Sequence, residues 1–473
     1  MTAAAELNAQ DSARLRGLTR AQALVLMLVL STLAAGLIWA GASTLVIIER
    51  SIALAFVAVI GWRAAALALT VRPVSAPAPL KDMPLKNEEL PRYSVICALY
   101  READVLAQLV RNLCALDYPP ERLEIILALE HDDAETLRAA HALALPAHMR
   151  ILVVPPGEPR TKPRALNHAL LGATGDLVTI FDAEDAPDPA QLREAAARFH
   201  ASSPALACLQ APLRIRIHQG SGMVARQFAA EYAALFEASV PAFSRLGLPF
   251  ALGGTSNHFR AAALRRVGAW DAWNVTEDAD LGFRLWRFGY RMGVISAPTW
   301  ESAPDGVHAW LPQRTRWLKG YLQTLLVHTR HPAQLGWRGG AALLLGIGAA
   351  LGSAALHALA LLWFSTVSLV AMLSSVSPMA HPLAVSLFSI GALVSICGCA
   401  IGMRRAALPY RVRDALLAPA YWAMQSLALA HALIQMITAP FHWDKTPHRP
   451  EPEEPAESAA ASSVVSPRRA KAA

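Results

Sequence analysis

An almost unbroken apolar run follows the first twenty residues of this chain. A helix needs about 20 apolar residues to cross a bilayer. The run therefore predicts two membrane-spanning helices, at 22–48 and 51–69, with Glu49 and Arg50 in the turn between them. The alternative, a turn at 41–43, would place both charged side chains inside a span, which is costly unless they pair. The sequence favours the first arrangement.

Apolar segments return in the last third of the chain. Residues 339–375 predict an interfacial helix followed by one span, and residues 382–403 predict a further span. The segment 414–438 is apolar but contains a proline and several polar side chains, so a span, a re-entrant segment and an interfacial helix stay open. Hydrophobic residues make up 54% of the 473 residues. Because this excess lies in the two flanking regions, the chain is predicted to be a membrane protein with one globular domain.

Basic residues lie beside the apolar runs, and the net charge is +7. By the positive-inside rule, such residues mark cytosolic segments. They form no basic and aromatic stripe, so we expect no nucleic-acid partner. The flanking arginines are Arg14, Arg16, Arg20, Arg404, Arg405, Arg411 and Arg413.

Composition divides the chain into five regions. They are a segment with two transmembrane helices at 1–72, a Pro-rich linker at 73–91, a globular domain at 92–338, transmembrane or interfacial helices at 339–440, and a polar, largely disordered tail at 441–473.

The globular region predicts alternating strands and helices. Apolar, β-branched runs at 93–100, 123–129, 150–155 and 176–181 read as buried strands, and KPRALNHALLGA (162–173) reads as a helix between two of them. This alternation is typical of a largely parallel α/β sheet. Ligands of such sheets bind beyond the carboxyl ends of the strands, so polar residues that directly follow the strands are candidates for a site.

The first such cluster is DAEDAPDP, which follows the strand at 176–181. Asp182, Glu184 and Asp185 could bind a hard cation such as Mg²⁺, which favours one or two carboxylates together with phosphate oxygens. The structural alternative is an acidic turn before a helix, with Asp188 as its N-cap.

The second cluster is TEDADLG, in which Glu277, Asp278 and Asp280 stand at the start of a predicted helix. A helix cap is a sufficient explanation for this cluster alone, with Asp278 as the N-cap and acidic neighbours in the first turn.

The third cluster is QRTRW. Gln313 and Arg316 suit a diphosphate, and the Trp317 indole suits a sugar ring. On its own, the segment also fits a basic helix face beside the membrane.

In chain order these clusters read FDAED, NVTEDADLGFRL and QRTRW, with apolar runs on both sides. In this combination the sequence resembles the family 2 glycosyltransferases, in particular the membrane-embedded processive branch that includes cellulose, β-glucan and hyaluronan synthases. The resemblance covers residues 90–330 well and the flanking segments loosely. It implies an α/β fold of the GT-A type, with a mostly parallel sheet, flanked by transmembrane and interfacial helices.

The resemblance also implies roles for individual residues. VICALYREADVL is similar to the first-strand nucleotide motif and LALEHDDAET to the second-strand acidic motif, which leaves open whether Glu130 or Asp132 faces the base. TKPRALN places Lys162 near the phosphates, and the loop LGGTSNHFR (252–260) would border the acceptor sugar. The implied substrate- and nucleotide-binding residues are Tyr100, Glu102, Glu130, Asp132, Lys162, Asp182, Gln313, Arg316 and Trp317.

For catalysis, the resemblance makes Asp278 the general base, with Glu277 and Asp280 in support. A cation, Mg²⁺ or Mn²⁺, is implied at Asp182 with Glu184 and Asp185, although the motif departs from a strict DxD because its second acid is Glu184. Which of Glu184 and Asp185 contacts the metal stays open.

The implied activity is that of a multi-pass enzyme of a bacterial-type inner membrane with a cytosolic catalytic domain. It would extend a β-linked polysaccharide from a UDP-sugar, with UDP-glucose as the expected donor. The alternatives are a single transfer to a lipid or other carrier, and a non-catalytic membrane receptor or assembly protein of the same fold. Expected partners are the donor, the growing glycan and membrane lipids. Because few spans are predicted for an export channel, a second copy or an export partner is also expected.

The segment PFHWDKTPHR (440–449) has two interpretations. Trp443, Lys445 and Thr446 could cover the nucleotide, as a C-terminal element does in some synthases of this kind. A juxtamembrane anchor with interfacial aromatic residues fits the segment equally well.

Overall fold

The structure is a computed structural model that describes residues 7–71, 85–218, 220–373 and 382–443. The predictions for most of the linker, for residues 374–375, for Lys445 and Thr446, and for the disordered tail lie outside the described residues. The region boundaries stay predictions.

A seven-stranded sheet in the order β3-β2-β1-β4-β8-β6-β9 forms the centre of the globular region. Its first four strands are mutually parallel, β8 runs antiparallel to both of its neighbours, and β6 pairs parallel with β9. The mostly parallel α/β sheet predicted from the sequence is thereby confirmed. The strands are β1 (Tyr93–Leu99), β2 (Leu123–Glu130), β3 (Met149–Val154), β4 (Leu177–Ile180), β6 (Leu206–Gln210), β8 (Asn257–Arg260) and β9 (Arg291–Val294).

A smaller sheet packs beyond the carboxyl ends of these strands. It has the order β5-β10-β7, with β10 antiparallel to β5 and parallel to β7. Its strands are β5 (Ala186–Pro187), β7 (Leu213–Ile215) and β10 (Thr299–Glu301).

Helices cover both faces of the large sheet. Alternate residues of β1 point to opposite faces, so Val95 and Cys97 belong to one apolar core and Ile96 to the other. The helices of this region are α2 (Ala103–Cys114), α3 (Ala134–Ala142), α4 (Lys162–Leu171), α5 (Gln191–His200), α6 (Met223–Ala234), α7 (Val240–Arg245), α8 (Ala261–Arg266), α9 (Glu277–Arg287) and α10 (Gly306–His328).

The N-terminal apolar run is helical over Arg20–Val71, which we label α1. Its one residue with non-helical dihedrals is Gly41 (φ 25°, ψ −97°), and a Cβ added to Gly36 would lie 2.9 Å from the Thr44 hydroxyl oxygen. The chain therefore breaks at Gly41, where a residue without a Cβ tolerates the positive φ. The favoured turn at Glu49 and Arg50 is wrong, since the helix continues through both residues and leaves them exposed.

The C-terminal region is also helical. Three stretches of the described residues are long and apolar enough to cross a membrane: Arg20–Thr70, Pro332–Val370 and Pro382–Arg405. The helix Val412–Thr438 is continuous and packs against α6, α10 and the helix Ala349–Leu373. These helices are α11 (Pro332–Leu343), α12 (Ala349–Leu373), α13 (Pro382–Arg405) and α14 (Val412–Thr438).

Candidate active site

The loop after β4 carries the acidic residues predicted to hold a metal. Asp185 is fully buried, and its Oδ2 accepts hydrogen bonds from the backbone N–H of Asp182 (2.6 Å) and from the Thr255 hydroxyl. Its other oxygen, Oδ1, is buried without a hydrogen-bond partner among the described residues. Asp188 is not an N-cap as the structural alternative predicted, because α5 begins three residues later, at Gln191.

The electrostatics of this loop suit a cation. Burial raises the pKa of Asp185 well above its usual range, and the charges of Asp182 and Glu184 raise it further. A divalent cation would offset this repulsion and occupy the unused oxygen, and carboxylate oxygens are ligands that both Mg²⁺ and Mn²⁺ accept. Asp182, Glu184 and Asp185 therefore fit a divalent metal.

Lys162 begins α4 and reaches the same loop. Its ammonium forms an ion pair with Asp182 and donates to the carbonyl oxygen of Gly254 at 2.8 Å. Although burial lowers the pKa of Lys162, the carboxylates of Asp182 and Glu277 outweigh this effect and the pKa is raised. Lys162 thus carries a fixed positive charge beside the acidic loop, as expected for a phosphate-binding lysine.

The helix α9 begins at Glu277, and its N-cap is Thr276. The structural alternative, in which Asp278 caps the helix, is wrong, because Asp278 is the second helical residue. Its Oδ1 accepts the N–H of Ala279 at 2.7 Å, which leaves Oδ2 directed toward Gly254. The three carboxylates of TEDADLG are therefore not explained by capping alone.

Glu277 and Asp278 form a coupled pair of acids. Burial raises the pKa of Glu277 to about 8, with a further contribution from the charge of Asp278. Burial also raises the pKa of Asp278, but the Ala279 N–H, Lys162 and Arg316 partly offset it. Burial thus raises the pKa of both acids, and the raised pKa makes the Asp278 carboxylate a stronger base than an exposed aspartate.

Gly254 separates the two acidic clusters. A Cβ added at this glycine would lie 3.5 Å from Asp278 Oδ2 and 4.0 Å from Asp182 Oδ2. The predicted base and the predicted metal site therefore face one another across a backbone that has no side chain there. The loop 252–260 holds this glycine in the cavity wall, where the sequence predicted an acceptor-bordering loop.

Asp280 has a different environment from its two neighbours. It is fully buried, pairs with Arg284 at 2.8 Å, and lies 3.1 Å from His328 Nε2. Burial raises its pKa, yet Arg284 and His328 together lower it below the usual range. Asp280 does not line the cavity that Asp278 faces. Its support for the site is therefore indirect, because it ties α9 to the end of α10.

The QRTRW segment lies within α10, and Gln313, Arg316 and Trp317 all line the cavity. Arg316 donates to the carbonyl oxygen of Val275 at 3.2 Å, and its guanidinium lies 4.5 Å from the Trp443 ring centroid. The Trp317 indole packs under the Arg314 guanidinium at 4.4 Å. The structure thus brings this segment to the start of α9, as predicted, and also brings Trp443 onto it.

Residues that follow the first two strands line the opposite side of the cavity. Tyr100, Glu102 and Glu130 belong to its wall, whereas Asp132 lies outside it and pairs with Arg160 at 2.7 Å. Glu130 is itself paired with Arg164 at 2.5 Å. Of the two acids left open by the sequence, Glu130 is the one that faces the cavity.

Two acids of this cavity, Glu301 and Glu231, were not predicted from the sequence. Glu301 ends β10, and its Oε1 is buried without a hydrogen-bond partner among the described residues. Burial raises its pKa well above the usual range, and Asp185, Glu184 and Asp182 add to the shift. Its position at the carboxyl end of a strand is the signal that could have identified it. Glu231, on α6, binds Arg314 through two contacts of 3.0 and 2.6 Å, and no local motif marks it.

Most of these side chains line one cavity of about 570 Å³, whereas Asp132, Asp185 and Asp280 lie outside its wall. Its wall continues beyond the globular region onto α1, α12, α13 and α14. The cavity therefore joins the acidic loop and Asp278 to the apolar helices in one space.

Comparison with known proteins agrees with this geometry. Residues 91–320 match the family model described as "Glycosyltransferase like family 2". Residues 91–320 are a family 2 glycosyltransferase domain. The family predicted from the sequence is confirmed, and all three of its principal motifs lie within the matched range.

The curated relatives have names that differ in the product made. The chain is 25% identical over 49% of its length to "Probable glycosyltransferase YdaM" of Bacillus subtilis, and 30% identical over 56% to "Beta-monoglucosyldiacylglycerol synthase" of Synechocystis. It is 27% identical over 52% to "Poly-beta-1,6-N-acetyl-D-glucosamine synthase" of Staphylococcus aureus. These matches span 56%, 55% and 58% of the three relatives, in that order.

A solved structure supports the fold. The mannosyltransferase PcManGT from Pyrobaculum calidifontis, in complex with GDP-Man and Mn²⁺, aligns with a TM-score of 0.51. It is 20% identical, and the match covers 82% of this chain and 98% of that one. This likeness confirms the GT-A-type fold predicted from the sequence.

Proposed function

We propose that this protein is an inverting glycosyltransferase of a bacterial-type inner membrane, which transfers a sugar from a UDP-sugar to an acceptor that Asp278 deprotonates. The observation that carries the proposal is the approach of Asp278 and Asp182 to the same point beside Gly254. Inverting transfer needs a base on the acceptor side of the anomeric carbon and charge neutralisation on the side of the departing diphosphate. These two requirements correspond to the two sides of Gly254.

Asp278 has the properties of a general base. Burial raises the pKa of Asp278, which strengthens its carboxylate as a base, and the positive charges of Lys162 and Arg316 favour the ionised form that accepts a proton. A positioned carboxylate can remove the acceptor proton as the new glycosidic bond forms, and such catalysis contributes roughly 10²–10⁴-fold.

On the donor side, Asp182, Glu184 and Asp185 would hold a divalent cation, either Mg²⁺ or Mn²⁺. When bound, it neutralises charge on the leaving diphosphate. Lys162 and Arg316 add two fixed positive charges at the same end of the cavity. Tyr100, Glu102 and Glu130 lie where a nucleotide base and ribose would extend from that diphosphate. A GDP-sugar and Mn²⁺ in a structure of the same fold support a nucleotide sugar and a metal here.

The choice of donor and acceptor is supported by the relatives and by the shape of the cavity. We propose UDP-glucose as the donor and a growing β-linked polysaccharide as the acceptor, with Trp317 and Gln313 beneath the acceptor sugar. A polysaccharide synthase among the relatives supports this choice. A single transfer to a lipid is the second candidate. It is favoured by the continuation of the cavity onto the membrane helices and by the lipid-glucosylating relative.

The remaining alternative is a non-catalytic receptor or assembly protein with the same fold. Such a protein has no need for a base, an acidic metal loop and a guanidinium that converge on one cavity. Asp278, Asp182 and Arg316 do converge there, which favours the enzyme.

The test is UDP release from a panel of UDP-sugars by full-length protein in membranes, with Mg²⁺ or Mn²⁺ and with a chelator. We expect release from one sugar, dependent on metal and abolished in Asp278→Asn. Asp117→Asn is the matched control, because Asp117 is exposed and pairs only with Arg193 among the described residues. Equal UDP release by wild type and Asp278→Asn would refute the proposed base.

A further inference from the structure

The membrane-facing half of the cavity contains polar groups that the proposed chemistry does not use. Its wall is largely aliphatic and includes Leu67, Ile347 and Val394. Among the polar side chains that interrupt it, three long ones come from three different helices: Arg63 of α1, His357 of α12 and Gln425 of α14. We call these three residues the Arg63 pocket.

Arg63 forms no ion pair with any residue that the structure describes. Its guanidinium donates to the Ser395 hydroxyl at 2.8 Å, which is its one hydrogen bond among the described residues. A guanidinium has five N–H donors, so most of them are unused. The carboxylate of Glu231 also lines the cavity, but its oxygens already accept from Arg314 (3.0 and 2.6 Å) and Tyr421 (2.8 Å).

The other two side chains also have unused polar atoms. Gln425 is only 9% exposed, and its amide makes no hydrogen bond to any described residue. His357 stacks on Trp422 with ring centroids 5.5 Å apart, and its Nδ1 is buried without a partner in the described part of the chain. Buried polar groups are normally hydrogen-bonded, so two such groups beside a lone arginine indicate a missing ligand that accepts hydrogen bonds.

The position of the pocket indicates where that ligand comes from. Arg63 lies eight residues before the end of α1, or about 12 Å along the helix axis. That end adjoins the globular region, because Arg245 at the end of α7 donates to the carbonyl oxygen of Leu69. Charged residues within a span normally face a partner or a cavity that serves function. A group that enters here between the apolar helices comes from the lipid leaflet on the side of the globular domain.

We propose that the Arg63 pocket binds the phosphate of an anionic membrane lipid, and that this lipid enters the cavity as the acceptor of the sugar. A phosphate supplies both the negative charge that Arg63 lacks and the oxygens that Gln425 and His357 can donate to. A neutral glycan supplies hydroxyl groups but no charge, and it has no use for the aliphatic wall. The binding of the lipid stands independently. Its role as acceptor rests on the glycosyltransferase activity proposed above and, of the two acceptors considered there, selects the second candidate, a single transfer to a lipid, over the growing polysaccharide.

The transfer is balanced within this arrangement. The bond between the anomeric carbon and the donor phosphate oxygen breaks, and its electron pair leaves with UDP. A hydroxyl oxygen of the lipid headgroup bonds to the anomeric carbon, and its proton passes to Asp278. No oxidant or further reactant is required.

Lipid retention tests the pocket. Full-length protein is reconstituted in phosphatidylcholine with phosphatidylglycerol, re-extracted in detergent, and its bound lipid is measured by native mass spectrometry. We expect wild type to retain phosphatidylglycerol over phosphatidylcholine, and Arg63→Gln to lose about tenfold or more of that preference, as expected for one charge-assisted contact. The matched control is Arg50→Gln, which removes an exposed arginine from the same helix and should change nothing.

A phosphate competitor and two further variants complete the lipid-retention experiment. Displacement of the lipid by inorganic phosphate would show a site for free phosphate and overturn the lipid assignment, as would equal retention by wild type and Arg63→Gln. If Arg63→Gln fails to fold, Gln425→Leu and Arg63→Lys replace it: the first should retain less lipid, and the second should preserve retention. The opposite result for this pair would overturn the pocket.

The role of the lipid as acceptor has its own readout. With radiolabelled UDP-sugar, label should appear in the solvent-extractable lipid fraction and fall in Arg63→Gln. Label confined to an insoluble polymer would overturn the acceptor role and leave the retention result standing. Absence of UDP release from every sugar would instead refute the proposed function, again without changing the retention result.

Discussion

Gly320 controls the position of the proposed base without touching any substrate. It lies on α10, where that helix crosses the start of α9. A Cβ added there would lie 2.2 Å from the hydroxyl oxygen of Thr276 and 2.5 Å from its methyl group. Thr276 is the N-cap of α9, directly before Glu277 and Asp278. Gly320→Ala should therefore displace the backbone at the start of α9, which carries the proposed base Asp278.

The size of this displacement follows from the distance between the added Cβ and Thr276. Ordinary contact begins at 3.4 Å, so Thr276 and the new methyl group must move apart by about 1.2 Å. Thr276 is buried and cannot swing into solvent, so α9 moves with it. Overpacking of this kind costs about 1–3 kcal/mol. A misplacement of about 1 Å in a catalytic arrangement can cost on the order of 10²-fold in rate.

The assay compares UDP release and thermal unfolding of Gly320→Ala with those of Gly340→Ala. Gly340 lies on α11 with open space around its Cβ position, so its alanine variant should match wild type in rate and be as stable or slightly more so. We expect Gly320→Ala to lose about 10²-fold in kcat while the KM for the UDP-sugar changes little. Wild-type kcat and melting temperature in Gly320→Ala would refute the argument that α10 positions the base.

Three further predictions concern the acids themselves. Asp278→Asn should lower kcat by roughly 10²–10⁴-fold without loss of fold, as measured by UDP release and by thermal unfolding. Glu277 has a pKa of about 8 in the folded protein against 4.5 in the unfolded chain. Its contribution to the free energy of unfolding is therefore fully present below pH 4.5 and is lost as the pH rises through 8. The melting temperature of Glu277→Gln, relative to wild type, should therefore rise between these values, and a constant difference would contradict the buried neutral acid. Asp182→Asn should raise the metal concentration needed for half-maximal UDP release, and an unchanged metal requirement would remove Asp182 from the cation site.

Four of the seven strands of the large sheet were predictable from apolar runs, and three of these four, β1, β2 and β4, are buried on both faces. The runs at 93–100, 123–129, 150–155 and 176–181 are apolar and β-branched, and the structure begins and ends the corresponding strands within one or two residues. The turn in the N-terminal helices was not predictable on the same basis. The cost of burying charge predicted a turn at Glu49 and Arg50, but the backbone breaks at Gly41.

The site was predictable where a residue belongs to a local motif. The acidic loop, the start of α9 and the α10 segment were all identified, and all three meet at one cavity. Local patterns could not show that Asp280 turns away to Arg284 and His328, because residues two apart on a helix do not share a face. Nor could they identify Glu231 or Arg63, since both depend on long-range packing that brings distant helices to the cavity.

The start of α9 resolves a conflict between capping and catalysis. A helix N-terminus stabilises a carboxylate and so lowers its pKa, which would weaken a base. The hydrogen bond that Asp278 accepts from the Ala279 N–H lowers the pKa of Asp278. Burial beside Glu277 nevertheless raises that pKa overall. The buried neighbour Glu277 belongs to the surroundings that raise the pKa of Asp278, while the Ala279 N–H fixes the direction of the Asp278 carboxylate. A single acid at this position would be either well oriented but weakly basic, or basic but free to turn, so the adjacent pair gives the base both its orientation and its basicity.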